Sequence, residues 1–402
     1  MPSTLQFGPA ALAAGVARTA TIQGAPASLL TALRTSALLE LQHMIAPIGS
    51  LALSSNLQYL ADTQRTLLGA RIGAGVTDLL MNTLGYAWRD NAASLATSGG
   101  THPDFIYGGG NARGFGVVLA EAHGSFSSQT SGALISRRAI SKYQRQVTPH
   151  IIGTSTHGPV IHGYSVAVGA RTGYPGSYLH VAETHIKKQR RPIAKTPPAT
   201  SIRIRQSVPV QFALATHRSN FALMDDYSVV EAIDALQGDD RHASQTVESL
   251  FVRLEDSSRA YLASASSLLP PWWSLQQKLR LAADYRFPDY PYLFPWWRDV
   301  PGELMRHPLG GWFVIEESAC EKFLNVLTEL LAGGIARIST LELPDQPIHG
   351  FGASGMAEMD NESRYLGAQF RDGLAILNTL PSRVAFRTWS PADGLSEPSL
   401  GL

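Results

Sequence analysis

HPDFIYGGGNARGFGVVLAEAHGS, residues 102–125, decides how the rest of the chain is read. DFIY is a short apolar run and FGVVLAEAHG a longer one, and the glycine-rich link GGGNARG between them predicts a hairpin of two strands. Asp104 follows a proline at the start of the first strand. Glu121 and His123 stand two apart near the end of the second, so the period of two puts them on one face. If the strands pair, Asp104 and Glu121 converge within reach of one cation. Two carboxylates, a backbone carbonyl and water suit Mg²⁺ or Mn²⁺, and a third polar residue beside them can orient or deprotonate a water.

Working outward, SRRAISKYQRQV reads as a basic amphipathic helix that ends before Pro149, and VIHGYSVAVGA and SYLHVAET read as two further strands. On the N-terminal side, Leu29–Leu41, Leu51–Leu68 and Val76–Arg89 carry apolar residues at helical spacing. The expected order over about residues 70–186 is therefore helix, two strands, helix, two strands. KKQRRPIAKTPPAT, residues 187–200, reads as a linker or exposed loop. Beyond it, Ser228–Leu236, Ala243–Leu269 and Glu316–Leu331 are expected helices. Three regions result: a helical 1–69, an α/β unit over 70–200, and a mostly helical 201–402.

The pattern resembles the PD-(D/E)XK nuclease superfamily, which has the restriction-endonuclease-like fold: a mixed α/β (α+β) sheet flanked by helices. Pro103-Asp104, sixteen residues, then Glu121-Ala122-His123-Gly124-Ser125 stands where that family has Pro-Asp, a variable link and Glu-X-Lys. The resemblance implies Asp104 and Glu121 as ligands of Mg²⁺ or Mn²⁺, with the Ala122 carbonyl as a third. His123 takes the place of the family lysine, and Gln144 falls where many members place a catalytic glutamine or lysine. It reaches back to Asp78, where the first helix of the core often supplies an acid. Hydrolysis of phosphodiester bonds in DNA follows, with defence against foreign DNA as the family context. The histidine is a departure, because it titrates near neutrality where lysine stays charged. A catalytically degenerate member that binds nucleic acid or scaffolds a complex is the alternative.

The charge distribution bears on the partner. The 402 residues hold 33 basic and 32 acidic side chains, a net of +1. Residues 137–205 nevertheless carry twelve basic side chains against Glu183 alone, while 206–402 carry fifteen basic and twenty-five acidic ones. A polyanion is the natural counterpart of the basic segment. Arg137, Arg138, Lys142 and Arg145 on the helix, with Lys187, Lys188, Arg190 and Arg191 in the linker, are the expected nucleic-acid contacts. The acidic half could instead dock on that segment, on a second copy or on another protein.

Other chemistries find less support. A single cysteine, Cys320, excludes an intramolecular disulfide and a Cys-rich zinc site. His157 and His162, like His180 and His185, stand five apart, which on strands is poor spacing for a shared metal. Gly350–Gly355 matches GxGxxG, but LELPDQPIH before it is a poor strand, so a loop is expected. No P-loop or G-x-S-x-G elbow occurs. The aromatic-proline stretches PPWWS and PDYPYLFPWWRDVP read as braced loops packing tryptophans. No apolar run approaches the ~20 residues of a membrane span, and the apolar N-terminus lacks a basic leader, so a cytoplasmic setting is expected. Only six of the basic residues are lysine, and this arginine bias points to a bacterial source.

Overall fold

The computed structural model describes residues 4–20, 51–92, 101–110, 116–171, 176–185, 205–224, 227–238, 312–333, 340–346 and 366–377, with a few isolated positions between them. Lys187, Lys188, Arg190 and Arg191, the linker 187–200, the GxGxxG loop and both aromatic-proline stretches lie outside the described residues. So do nearly all of the expected helices Leu29–Leu41 and Ala243–Leu269.

The centre is a mixed sheet. Strand β1 (Trp88–Asn91) pairs antiparallel with β2 (Phe105–Gly108), and β2 antiparallel with β3 (Val117–Phe126). The short β4 (Thr154–Ser155) precedes β5 (Gly158–Ala170), which lies parallel to β3. β6 (Ser177–Glu183) closes the far edge antiparallel to β5. Two adjacent parallel strands need a crossover, and helix α3 (Gly132–Lys142) supplies it. The Ser131 side chain caps that helix by accepting from the Leu134 amide.

Each face of the sheet is covered by a helix. α1 (Pro9–Thr19) and α2 (Asp62–Thr83) lie on one side, where Leu80 and Met81 of α2 pack with Val118, Ala120 and Val166. On the other side Ile135 and Ala139 of α3 pack on Ala167. α2 approaches β3 unusually closely. A Cβ on Gly124 would stand 1.7 Å from the Gly69 carbonyl oxygen, and one on Gly73 would stand 2.6 Å from the Gly124 nitrogen. Backbone therefore packs on backbone at this crossing, and only glycine fits at Gly124. α1 approaches α2 in the same manner through Gly15 and Gly75.

The expected hairpin, crossover helix and two further strands are all present. Val76–Arg89 differs from its expected helix: α2 ends at Thr83, Gly85 adopts φ +94°, and the chain leaves as β1. The expected boundary at 69/70 falls inside α2.

The C-terminal half is less purely helical than expected. α4 (Val210–Leu223), α5 (Tyr227–Leu236) and α6 (Glu317–Gly333) are accompanied by β7 (Arg205–Pro209), β8 (Leu268–Leu269), β9 (Trp312–Glu316), β10 (Thr340–Pro344), β11 (Leu366–Gln369) and β12 (Leu374–Leu377). They form a two-stranded sheet, β10-β7, and a four-stranded one, β11-β12-β9-β8. One buried cluster runs from Leu12 through Leu119 and Val168 to Phe323 and Ile376, joining all three expected regions. Among the described residues no helix is long and apolar enough to cross a membrane.

Candidate active site

The β2–β3 register places the site. The pairs Phe105↔Ala120, Ile106↔Leu119 and Tyr107↔Val118 share one sum, 225, so continuing the ladder by one residue sets Asp104 opposite Glu121. Directly opposed residues point to the same face. On the other flank Glu121 pairs with Ser165 of β5. A row therefore runs Asp104, Glu121, Ser165 across three strands, on the face covered by α3.

Glu121 is 1 % exposed, whereas Asp104 is open to solvent. Asp104 Oδ2 accepts from the Ala122 amide at 2.9 Å, which ties the two strands together beyond their ladder. Glu121 Oε1 accepts from Lys142 Nζ at 2.7 Å. Its other oxygen, Oε2, is buried without a hydrogen-bond partner among the described residues, as is the neighbouring Ser165 Oγ. Burial first, and the Asp104 carboxylate second, raise the pKa of Glu121 to about 7, against the opposing pull of Lys142.

Basic side chains of α3 meet acceptors of β3 in register. Four helix residues rise about 6 Å, and two strand residues about 6.7 Å, so partners repeat in step. Lys142 reaches Glu121, and Arg138 Nη1 reaches His123 Nε2 at 3.0 Å and Ser125 Oγ at 3.3 Å. A guanidinium only donates, so His123 Nε2 is the acceptor and the ring proton sits on Nδ1. Burial, then Arg138 and Lys142, lower the His123 pKa to about 4, and the ring is neutral at physiological pH. His123 thus stands against Arg138.

The chain before Asp104 is held by the end of the same helical segment. After α3 a π turn, Tyr143–Val147, widens the helix. Its Arg145 carbonyl accepts from Thr101 Oγ1 at 3.3 Å, and Gln146 Nε2 donates to the His102 carbonyl at 3.4 Å. Gln144 is exposed and its side chain makes no hydrogen bond among the described residues, so Gln146 rather than Gln144 touches the chain that leads into Asp104. Arg137 is exposed, and the Arg145 guanidinium turns back on the Ser141 carbonyl.

Asp78 is not brought to this row. Tyr107, on the α2 face, donates to Asp78 Oδ1 at 2.9 Å, and Arg18 Nε lies 2.7 Å from Asp78 Oδ2. Asp78 is fully buried in an ion-pair group with Arg18 and Asp372, on the opposite side of the sheet from Glu121.

Among the described residues no three His, Cys, Asp or Glu side chains are grouped to hold a metal. The donor set at Glu121 consists of oxygens: its unpartnered Oε2, the open Asp104 carboxylate and the Ala122 carbonyl. That set fits a hard divalent cation completed by water, and does not fit zinc, which favours nitrogen and sulfur.

The residue that sequence reasoning missed as a site member is Lys142, read only as a nucleic-acid contact. Its position four residues after Arg138, beside the buried stripe Ile135/Ala139, is the signal that turns both inward. Comparison with protein-family models, curated proteins and solved structures finds no match.

Proposed function

We propose that this chain is a metal-dependent nuclease of the PD-(D/E)XK kind, which hydrolyses phosphodiester bonds in DNA. The observation that carries the reading is Glu121: a buried carboxylate with one oxygen on Lys142 and the other unpartnered, opposite Asp104. The architecture adds support, since the antiparallel β1–β2–β3 and the parallel β5 make a mixed sheet flanked by α2 and the crossover α3, the kind of arrangement that the resemblance implies.

Asp104, Glu121 and the Ala122 carbonyl would hold Mg²⁺ or Mn²⁺. Such a cation lowers the pKa of bound water and neutralises charge developing on phosphorus. Lys142 supplies from α3 the ammonium that the histidine at position 123 cannot, fixed over Glu121 by their ion pair. Arg137 and Arg138 add positive charge along the approach of a polyanion.

The test is plasmid DNA with Mg²⁺ or Mn²⁺, comparing the wild-type chain with Asp104→Ala and Glu121→Ala. Cleavage that both variants abolish is the expected result. Intact DNA with salt-sensitive binding would instead support the second reading, a degenerate nuclease fold that binds nucleic acid. That reading is favoured by one observation, the histidine at the motif position, whose Nε2 is occupied by Arg138.

A further inference from the structure

The geometry points to Arg138 as the phosphate ligand of this site, with His123 and Ser125 as the positioning residues that hold its guanidinium. Arginine has five N–H donors in a planar fork. Both described contacts of Arg138 use Nη1, one to His123 Nε2 and one to Ser125 Oγ. The two Nη1 protons are thereby spent on β3, and three donors on Nη2 and Nε are left.

Nε and Nη2 together form one edge of the guanidinium. Two parallel N–H groups on such an edge match two oxygens of a phosphate in a bidentate pair. Arg138 is exposed, and neither Nε nor Nη2 makes a hydrogen bond among the described residues, so that edge is free for a ligand. An exposed arginine ordinarily samples many rotamers, and ordering its side chain on binding costs free energy. Anchoring Nη1 to two acceptors of a strand removes much of that cost beforehand.

The acceptor at position 123 matters for this role. Lysine there would offer only donors and would set a second cation against the guanidinium. Histidine offers a lone pair on Nε2, and the anchor follows. His123 therefore acts through Arg138. The ligand chemistry is a backbone phosphate of a nucleic acid, next to the carboxylate row two residues away on the same strand face. This assignment rests on the nuclease reading only for the identity of that polyanion.

The test uses the full chain and a short fluorescent DNA duplex in EDTA, titrated at several salt concentrations between about 50 and 200 mM. Cleavage in Mg²⁺ is followed on the same variants. Arg138→Gln should reduce the slope of log affinity against log salt by about 0.9, the share of one phosphate contact. His123→Leu removes the anchor and should lose a comparable part. His123→Gln keeps an acceptor oxygen and should recover most of the loss, while adding His123→Leu to Arg138→Gln should cost nothing more. An unchanged slope in Arg138→Gln, a failed recovery in His123→Gln or an additive double variant overturns the assignment. So does a wild-type chain that does not bind the duplex. A wild-type chain that shows these slopes yet leaves DNA intact sinks the nuclease reading and leaves the phosphate ligand standing. Thermal melts of each variant confirm that it is folded.

Discussion

Lys142 Nζ lies 2.7 Å from Glu121 Oε1, reaching down from the crossover helix onto a carboxylate that is 1 % exposed. The Lys142 side chain is itself 30 % exposed, so the pair is screened on one side only. It does two things at once. It satisfies a buried acceptor, and it places a fixed cation beside the candidate metal ligands, where position 123 has a neutral ring.

Lys142→Ala should therefore separate catalysis from folding. Unfolding free energy is expected to fall by about 1 kcal/mol, given the partial exposure of the pair. Cleavage should fall by about 100-fold or more, the usual contribution of a positioned proton-handling or charge-stabilising group. Single-turnover cleavage alongside urea melts decides it. Unimpaired cleavage in the folded variant would remove Lys142 from the site.

Gly124→Ala is expected to be among the most damaging single-methyl changes in the chain. The new Cβ would stand 1.7 Å from the Gly69 carbonyl oxygen and meet the Gly73 nitrogen at 3.1 Å, and both are backbone atoms. Overpacking a core commonly costs about 1–3 kcal/mol, and a backbone-to-backbone clash cannot be relieved by a rotamer change. Loss of the cooperative thermal transition, or its displacement by about 10 °C or more, is the expected result. A melt like that of the wild type would mean that α2 does not cross β3 here.

How far the sequence revealed this architecture varies by element. β2 and β3 were legible because apolar runs flank a glycine link, and the basic amphipathic stretch SRRAISKYQRQV marked the second half of α3 but not its start at Gly132. β1 was not, because Trp88-Arg89-Asp90-Asn91 has no alternation and continues the apolar spacing of the preceding helix; the turn at Gly85 is a matter of backbone conformation. Asp104 and Glu121 could be paired once the hairpin was assumed. Which of Arg137, Arg138 and Lys142 on α3 turn inward depends on how Ile135 and Ala139 seat the helix, and that is decided in three dimensions. Asp78 shows the converse. An acid on the first helix of the core looked like a site member, but one step of strand alternation puts its partner Tyr107 on the other face.

The partner of Asp78 gives a further prediction. Arg18 of α1 is fully buried, with Nε 2.7 Å from Asp78 and Nη1 2.9 Å from Asp372, while Asn220 Nδ2 also donates to Asp372. Its guanidinium carbon lies 4.1 Å from the Phe370 ring centroid. Three distant parts of the chain meet at one cation. Arg18→Ala leaves two buried carboxylates without their countercharge, which costs about 3–5 kcal/mol in such settings. Asp78→Asn should also destabilise the fold, while leaving the Mg²⁺ concentration for half-maximal cleavage unchanged. A shift in that concentration would return Asp78 to the metal site.

His217 gives the fold a pH dependence of known sign. Its ring stacks on Phe323 with centroids 4.0 Å apart and lies 5.7 Å from Trp88, and neither ring nitrogen has a hydrogen-bond partner among the described residues. Burial, only partly countered by Asp372, lowers its pKa from the ordinary 6.5 to about 4. Above pH 6.5 the ring is neutral in both the folded and the unfolded chain, and this contribution to stability is fully present. As the pH falls below 6.5 the unfolded chain takes up a proton, and the folded chain does not until about pH 4, so stability drops across that window. At about 1.4 kcal/mol per pH unit, the loss reaches about 3 kcal/mol. His123 and His162 are shifted in the same direction and add to the slope. His217→Phe keeps an aromatic ring in the stack and removes the titration. Urea melts near pH 7.5 and pH 5 should therefore show a smaller loss in the variant than in the wild type. Equal losses would mean that His217 gains a proton in the folded chain, and so has a partner for that proton in the core.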